Sequence, residues 1–311
     1  MLIIDNQSTV LPQPCVASIG FFDGVHRGHI YLIDQVKRVA IQRGLKSALL
    51  TFPVSPTEVI FPERKIPLLA PIDEKLNLLR HTEIDYCFLV EFTLGLSKLT
   101  AKEFMEQILL DKFNVKVLII GYDHRFGYNR SEGFEDYCRY GRELGIDIVQ
   151  AEALPADSVD VSSSLIRNYI QQGEIELVEP ILGYSYSLRG TVIKGKQLGR
   201  TIGFPTANIR VDHSEKIVPK DGVYAVQVIL DRDDKLYWGM LNIGNRPTVD
   251  DFAMRSIEVN ILGFKGDIYD QQMTLLFKKR LRDEVKFASL DALVEQLHID
   301  CLAVEKLSQA D

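Results

Sequence analysis

One change of rhythm along this chain constrains its fold more than any other feature: alternating strand and helix patterns stop near Gly183, and almost everything after it reads as strand. Before that point the expected strands are Val16–Ile19, Ser47–Phe52, Cys87–Val90, Val115–Ile120 and Ile146–Val149. Ile30, Ile33, Val36 and Ala40 recur at helical spacing between the first two, and Gly44 follows as a stop. Thr100-Ala-Lys-Glu103 is a capping box that opens a helix running to about Phe113. Strand and helix in alternation imply a parallel α/β sheet, which binds ligands beyond the carboxyl ends of its strands. After Gly183 the expected strands are Leu188–Ile193, Val223–Leu230, Leu236–Ile243, Ser256–Leu262 and Met273–Arg280, with helix returning at Leu290–Leu307. Asp231-Arg-Asp-Asp-Lys235 reads as a hairpin turn. Short antiparallel strands close into a small barrel because closure removes exposed edges. The expected architecture is therefore α/β plus β, with the boundary at Gly183-Tyr184 dividing 1–183 from 184–311.

Both parts have the means to bury a core, since the chain has 311 residues of which 46% are apolar. A net charge of −7 and the lack of any long Lys/Arg run argue against nucleic acid or an anionic membrane as partner, and favour a small charged ligand. Residues 1–20 lack a basic start followed by a long apolar core, and no apolar run reaches the roughly 18 residues of a membrane span. A cytoplasmic protein is expected. Cys15, Cys87, Cys138 and Cys301 are too scattered for a disulfide scaffold or a zinc site, and are expected to be buried free thiols.

Two glycine-rich segments carry the chemistry. Gly20-Phe-Phe-Asp-Gly-Val-His-Arg-Gly-His29 follows an expected buried strand and leads into a helix, whose free N–H groups and positive dipole end suit phosphate. Phe22, Asp23 and Gly28 belong to this turn, and His26 and His29 can aim two imidazoles into one space. When a nucleotide's α-phosphate is attacked, charge builds on its oxygens and on the departing pyrophosphate, and paired histidine donors stabilise it. The bland alternatives are surface histidines or an H-x-x-H metal pair with Asp23 as a third ligand. Gly121-Tyr-Asp-His-Arg-Phe-Gly127 should open at the same sheet edge, with Asp123 and Arg125 as ligand contacts or as turn chemistry. Val161-Ser-Ser-Ser-Leu-Ile-Arg167 begins a helix: Ser162 and Ser163 are either caps or phosphate donors, with Arg167 along the same side.

The second segment spaces Gly195, Gly199 and Gly203 by four and ends in Pro205-Thr-Ala-Asn208. It is not a Walker A loop, since no Gly-Lys-Ser/Thr follows, but a glycine-rich flap can cover phosphates through backbone N–H groups. The Thr206 hydroxyl and Asn208 amide oxygen are hard ligands of the kind magnesium takes beside phosphate. Glu258 lies on a strand between Ile257 and Val259, which point the other way. An inward carboxylate in a small barrel needs a task, and accepting a proton from an attacking hydroxyl is one; alternation equally permits a surface glutamate. Arg246, in Asn242-Ile-Gly-Asn-Arg-Pro-Thr248, either pairs with a carboxylate or touches ligand.

With these residues in view, the chain resembles the bifunctional riboflavin kinase/FAD synthetase family over nearly its whole length. Phe22–His29, Gly121–Gly127 and Ser162–Arg167 look like the adenylyltransferase module, a Rossmann-like nucleotidyltransferase domain. Gly190–Asn208, Gly222–Ala225, Asn242–Thr248 and Glu258 look like the kinase module, a six-stranded barrel. The resemblance implies two magnesium-dependent reactions: ATP phosphorylates riboflavin to FMN, and FMN attacks a second ATP to give FAD and pyrophosphate. It implies that His26 and His29 stabilise adenylyl transfer with Asp123, Ser163 and Arg167 in support, that Thr206 and Asn208 hold Mg-nucleotide, and that Glu258 is the kinase base. It is compatible with hand-over of flavin to apo-flavoproteins. Departures from the pattern are His124 for Phe, Ser164 for Thr, Ser55 for His, and Asn260 where the segment usually ends in His. Two rivals remain: an adenylyltransferase with a silent barrel, and a flavin sensor without turnover.

Overall fold

The computed structural model describes residues 1–8, 10–121, 124–153, 161–195, 198–232, 235–245 and 255–309. The chain falls into two compact units, Met1–Ser163 and Ser164–Asp311.

The first unit holds a six-stranded sheet of β1 (Leu2–Ile4), β2 (Cys15–Ile19), β3 (Lys46–Thr51), β4 (Tyr86–Leu89), β5 (Val115–Ile120) and β6 (Asp147–Gln150). The order across it is β1-β4-β3-β2-β5-β6, and every pairing is parallel. All five expected strands are present within a residue or two, and the short edge strand β1 adds a sixth. Each face of the sheet buries an apolar cluster. Cys15, Ala17 and Ile19 of β2 join Phe88, Met105, Phe113 and Tyr137 on one side, while Val16 joins Ile33, Val36, Ala40 and Leu79 on the other. A sheet covered on both faces needs near-continuous apolar strands, which is what β2 and β5 supply. The chain runs outward from β2 through β3 and β4, then crosses to β5 and β6 on the far side. The order therefore reverses between β2 and β5, and a crevice opens at such a switch point above the carboxyl ends of the strands.

Helix Arg27–Arg43 ends where Gly44 takes the left-handed conformation (φ 64°), and its N–H closes on the Ala40 and Ile41 carbonyls. The Thr100 capping box forms, with both reciprocal bonds, and helical structure continues from Ala101 through Lys112, its last two turns π-wound.

The second unit is built on a closed antiparallel barrel of β7 (Ser187–Ile193), β8 (Ala207–Val211), β9 (Gly222–Leu230), β10 (Leu236–Asn245), β11 (Arg255–Ile261) and β12 (Gln272–Arg282), ordered β10-β11-β8-β7-β12-β9. Strand β8, which begins at the end of the glycine-rich segment, is the one that alternation did not reveal. Leu241, Val259, Val226, Phe277, Leu188 and Val192 lie on one continuous buried face and fill the interior. On the outer face, helix Leu290–Ser308 covers Ala225, Met240 and Trp238 with Val304 and Leu307. Its buried Asp300 takes a forked pair from Arg282 (Nε–Oδ1 3.1 Å, Nη2–Oδ2 2.8 Å) and a bond from Gln296. All four cysteines are free; Cys15 and Cys87 are buried as expected, whereas Cys138 and Cys301 are partly exposed.

Candidate active sites

The histidine turn leaves the carboxyl end of β2 beside the switch point. Three positive-φ residues within four positions build it. Phe22 is left-handed (φ 53°), Gly24 follows at φ 75°, and Val25 stands at φ 38°. A β-branched residue at positive φ is an outlier costing about 1–3 kcal/mol, so the surroundings must enforce it. They do so through Asp23, whose buried carboxylate accepts the N–H groups of Leu69 (3.0 Å) and Ala70 (3.0 Å). Gly20 permits the close packing of the Phe22 ring, which would stand 2.9 Å from a Cβ there. From the far end of the unit, the Ser163 hydroxyl donates to the Asp23 carbonyl (3.0 Å).

His26 caps helix Arg27–Arg43, with Gly28 in the first turn, and its Nδ1 accepts the His29 N–H (3.3 Å). A neutral His26 therefore carries its proton on Nε2 and presents a donor there. His26 and His29 stack with ring centroids 3.6 Å apart, and Phe22 meets His29 edge-on at 5.2 Å. Burial first, then the proximity of His26 and Lys75, holds the His29 pKa well below the ordinary histidine value. His29 Nδ1 is buried and has no hydrogen-bond partner among the described residues. The stacked pair thus leaves one buried imidazole nitrogen unanswered among the described residues.

Of the other expected contacts, Arg125 is exposed on the loop after β5, and Asp123 lies outside the described residues. That loop is anchored by buried Tyr137, whose hydroxyl bonds the Phe126 backbone at both N (3.0 Å) and O (3.1 Å). Ser162 is exposed at the start of helix Ser163–Gln172, and Arg167 is half-buried on it. Thus Ser163 touches the histidine turn, and the turn's Asp23 faces the backbone of residues 69–70. Lys75 escaped sequence reasoning: a lysine fifty residues from the turn reads as a solvated helix position, yet its side chain is fully buried beside the turn. Only its place on the otherwise apolar side of helix Ile72–Arg80, with Leu79, gave a hint.

In the barrel unit, Glu258 faces Asn208 of β8 on one side and Asn242 of β10 on the other, so three polar side chains form a row across adjacent strands. Of the two placements that alternation leaves open for Glu258, the structure has the outer one. Ile257 and Val259 belong to the buried interior face, so Glu258, half-buried, points to the outer face. A barrel this small fills its interior with apolar side chains and leaves polar chemistry to its outside. Over that outside runs the flap. Thr206 Oγ1 lies 3.4 Å from Glu258 Oε2, and buried Asn260 donates from Nδ2 to the Pro205 carbonyl (2.7 Å). Phe204 wedges into the apolar cluster under the terminal helix and meets His298 edge-on.

The glycine spacing now has a cause. A Cβ on Gly195 would sit 2.2 Å from Asn208 Nδ2, and one on Gly199 only 2.1 Å from the Phe204 carbonyl oxygen. Gly203, at φ 86°, turns the flap back toward β8. Arg246 lies outside the described residues. Thr206 and Asn208 thus offer hard oxygens beside a carboxylate, a donor set that fits magnesium carried in by phosphates, for which a protein supplies few ligands.

A family model described as FAD synthetase matches residues 8–165, and one described as riboflavin kinase matches 182–308. A curated relative from Escherichia coli (strain K12), named bifunctional riboflavin kinase/FMN adenylyltransferase, is 35% identical over 303 residues, 97% of this chain and 96% of its own. The chain belongs to the bifunctional riboflavin kinase/FMN adenylyltransferase family. A relative of that name from Listeria monocytogenes is 38% identical over 288 residues, 92% of this chain and 90% of its own. A crystal structure titled macrolide-efflux protein, from Streptococcus pneumoniae, superposes with a TM-score of 0.89 at 29% identity, covering 98% of this chain and 99% of that one. Among the described residues no helix is long and apolar enough to cross a membrane.

Proposed function

We propose that this protein phosphorylates riboflavin with ATP to give FMN, and then adenylylates FMN with a second ATP to give FAD and pyrophosphate. The observation that carries the reading is the presence, in one chain, of a stacked histidine pair at a sheet switch point and a threonine, asparagine and glutamate row under a glycine flap. The first geometry suits adenylyl transfer, since the FMN phosphate is itself the nucleophile and the protein needs only donors where charge develops. The second suits phosphorylation of a hydroxyl, which needs a base.

In the adenylyltransferase, assigned to 1–183, the His26 Nε2–H and His29 meet the phosphates of ATP. Gly28 and the helix N-terminus add backbone donors. Gly20, Phe22 and Asp23 fix the turn, the Ser163 hydroxyl donates to it, and Asp123, Arg125, Ser162 and Arg167 are the further residues assigned to nucleotide and flavin. In the kinase, assigned to 184–311, Glu258 accepts the proton of the ribityl hydroxyl as it attacks the γ-phosphate. Gly195, Gly199, Gly203 and Pro205 shape the flap over ATP, and Arg246 contacts ligand. Thr206 and Asn208 hold Mg²⁺, which when bound neutralises phosphate charge. Free thiols throughout suit a reducing cytoplasm. Its partners are small molecules, with FMN or FAD passing on to apo-flavoproteins, and neither nucleic acid nor membrane is involved.

One incubation tests this reading: purified protein with riboflavin, ATP and Mg²⁺, with flavins resolved by chromatography. FMN should accumulate first and FAD follow. Absence of both products would sink the proposal, and FAD made only from added FMN would leave a silent barrel.

A further inference from the structure

Lys75 is a buried cation that the proposed chemistry does not use. It lies on helix Ile72–Arg80 with a relative exposure of 1%. Its Nζ donates to the carbonyl oxygens of Phe21 (3.0 Å) and Phe52 (2.8 Å), and stands 4.1 Å from the centroid of the Phe21 ring. These carbonyls belong to the connections leaving two adjacent parallel strands, β2 and β3. Thr51, at the end of β3, also donates to the Phe21 carbonyl (3.1 Å). No carboxylate stands within ion-pairing distance of Lys75 among the described residues. A core that keeps a lysine with only carbonyl partners tolerates a costly group where an apolar one would fit.

The contacts also run in the opposite direction. Asp23, two residues beyond Phe21, accepts the N–H groups of Leu69 and Ala70, just ahead of the helix that carries Lys75. Segment 69–75 therefore grips the turn at two points, one with backbone donors and one with an ammonium. Between these points lies Phe22, the first left-handed residue of the strained turn, and beyond them the two histidines.

We infer that Lys75 is a positioning residue for adenylyl transfer: its charged ammonium clamps the two strand ends so that the strained turn holds His26 and His29 toward the phosphates. The inference rests on reading the histidine turn as the adenylyl-transfer site. Charge matters as well as shape, because a neutral amine would donate more weakly to both carbonyls. The groups that face this ammonium are Asp23 in the turn, His29 with His26 behind it, and Cys87 on β4, beside which Arg80 of its own helix also acts. Burial brings the Lys75 pKa down to about 8, with Asp23 and Cys87 opposing that fall. The clamp is therefore charged at neutral pH and lost as pH rises through about 8.

The test measures kcat/KM for ATP in FAD formation from supplied FMN, from pH 6.5 to 9.5, in the parent, Lys75→Met, Lys75→Arg and His29→Ala. The parent should lose activity above about pH 8, with riboflavin phosphorylation showing no such limb. Lys75→Met should fall by about 10²-fold at pH 7, the usual result of misplacing a site by an ångström. Lys75→Arg should recover part of that loss and hold its rate to pH 9.5. Circular dichroism and intact riboflavin kinase activity report that each variant is folded. If Lys75→Met matches the parent while His29→Ala is inactive, the clamp is refuted and the site stands. If His29→Ala itself keeps full activity, the site reading fails and takes the clamp with it. Should Lys75→Met not fold, the parent's own pH profile decides, and a flat profile from pH 7 to 9.5 overturns the inference.

Discussion

The two units solve phosphate chemistry in opposite ways. In the parallel sheet two stacked histidines sit on a strained turn that Asp23 and Lys75 hold through bonds to main chain, and burial keeps the His29 pKa well below the ordinary histidine value. In the barrel Glu258 and Thr206 are half-buried beside buried Asn208 on an outer face, and a flap supplies the rest of the site. The contrast follows from what each reaction lacks. Adenylyl transfer arrives with its own nucleophile and needs a fixed environment for developing charge, which rigidity provides. A ribityl hydroxyl must lose a proton, so its site needs a base within reach.

The sharpest way to break the comparison is to take away the proposed base. Glu258→Gln keeps the row with Asn208 and Asn242 but cannot accept a proton, and should slow riboflavin phosphorylation by roughly 10²–10⁴-fold. FAD formation from supplied FMN should be unchanged. A variant that makes FMN at the parental rate would mean that another group is the base, and the assigned contrast between the sites would fall.

Next in size is His29→Ala. Losing one charge-stabilising donor costs about 3 kcal/mol, on the order of a hundredfold in rate. FAD formation should drop by that factor while riboflavin phosphorylation continues, as chromatography of the flavins would reveal. The same variant should alter acid stability. In the folded chain His29 resists protonation, whereas in the unfolded chain it takes a proton as pH falls below about 6.5. The unfolded state then binds more protons, so the parent loses stability as pH falls through that window, and His29→Ala should lose less. Equal slopes for the two in denaturant melts at pH 7 and pH 5 would show that His29 titrates normally.

What the sequence disclosed of these sites depended on how locally each was written. The β2 strand, its glycine turn and the capped helix are contiguous, so periodicity and two histidines sufficed to find them. Strand β8 lay unseen because its few residues overlap a glycine and proline loop, where alternation is too short to register. Glu258 was left with two possible faces, because alternation separates two faces without saying which one a closed barrel will fill. Asp23 looks like a ligand in a turn beside histidines, and only tertiary contacts with residues 69–70 reveal its hold on backbone. Lys75 was illegible for the same reason, since nothing local distinguishes a buried lysine from a solvated one.

Asn260 gives the smallest effect and the finest separation of the two units. It stands two residues beyond Glu258, hence on the same outer face, and its amide donates to the Pro205 carbonyl at the root of the flap. The family resemblance places a histidine there, which also carries a ring N–H able to reach a carbonyl. Asn260→Ala should remove about 1 kcal/mol, the net worth of one such bond, and let Pro205 and Thr206 drift from Glu258. The expected result is a severalfold rise in KM for ATP in riboflavin phosphorylation, a modest fall in kcat, and unchanged adenylyl transfer. Asn260→His should restore most of the loss if the N–H donor is what matters. If His fails where Asn succeeds, the side chain acts through its size or its carbonyl oxygen, and the flap is held by Phe204 packing under the terminal helix instead.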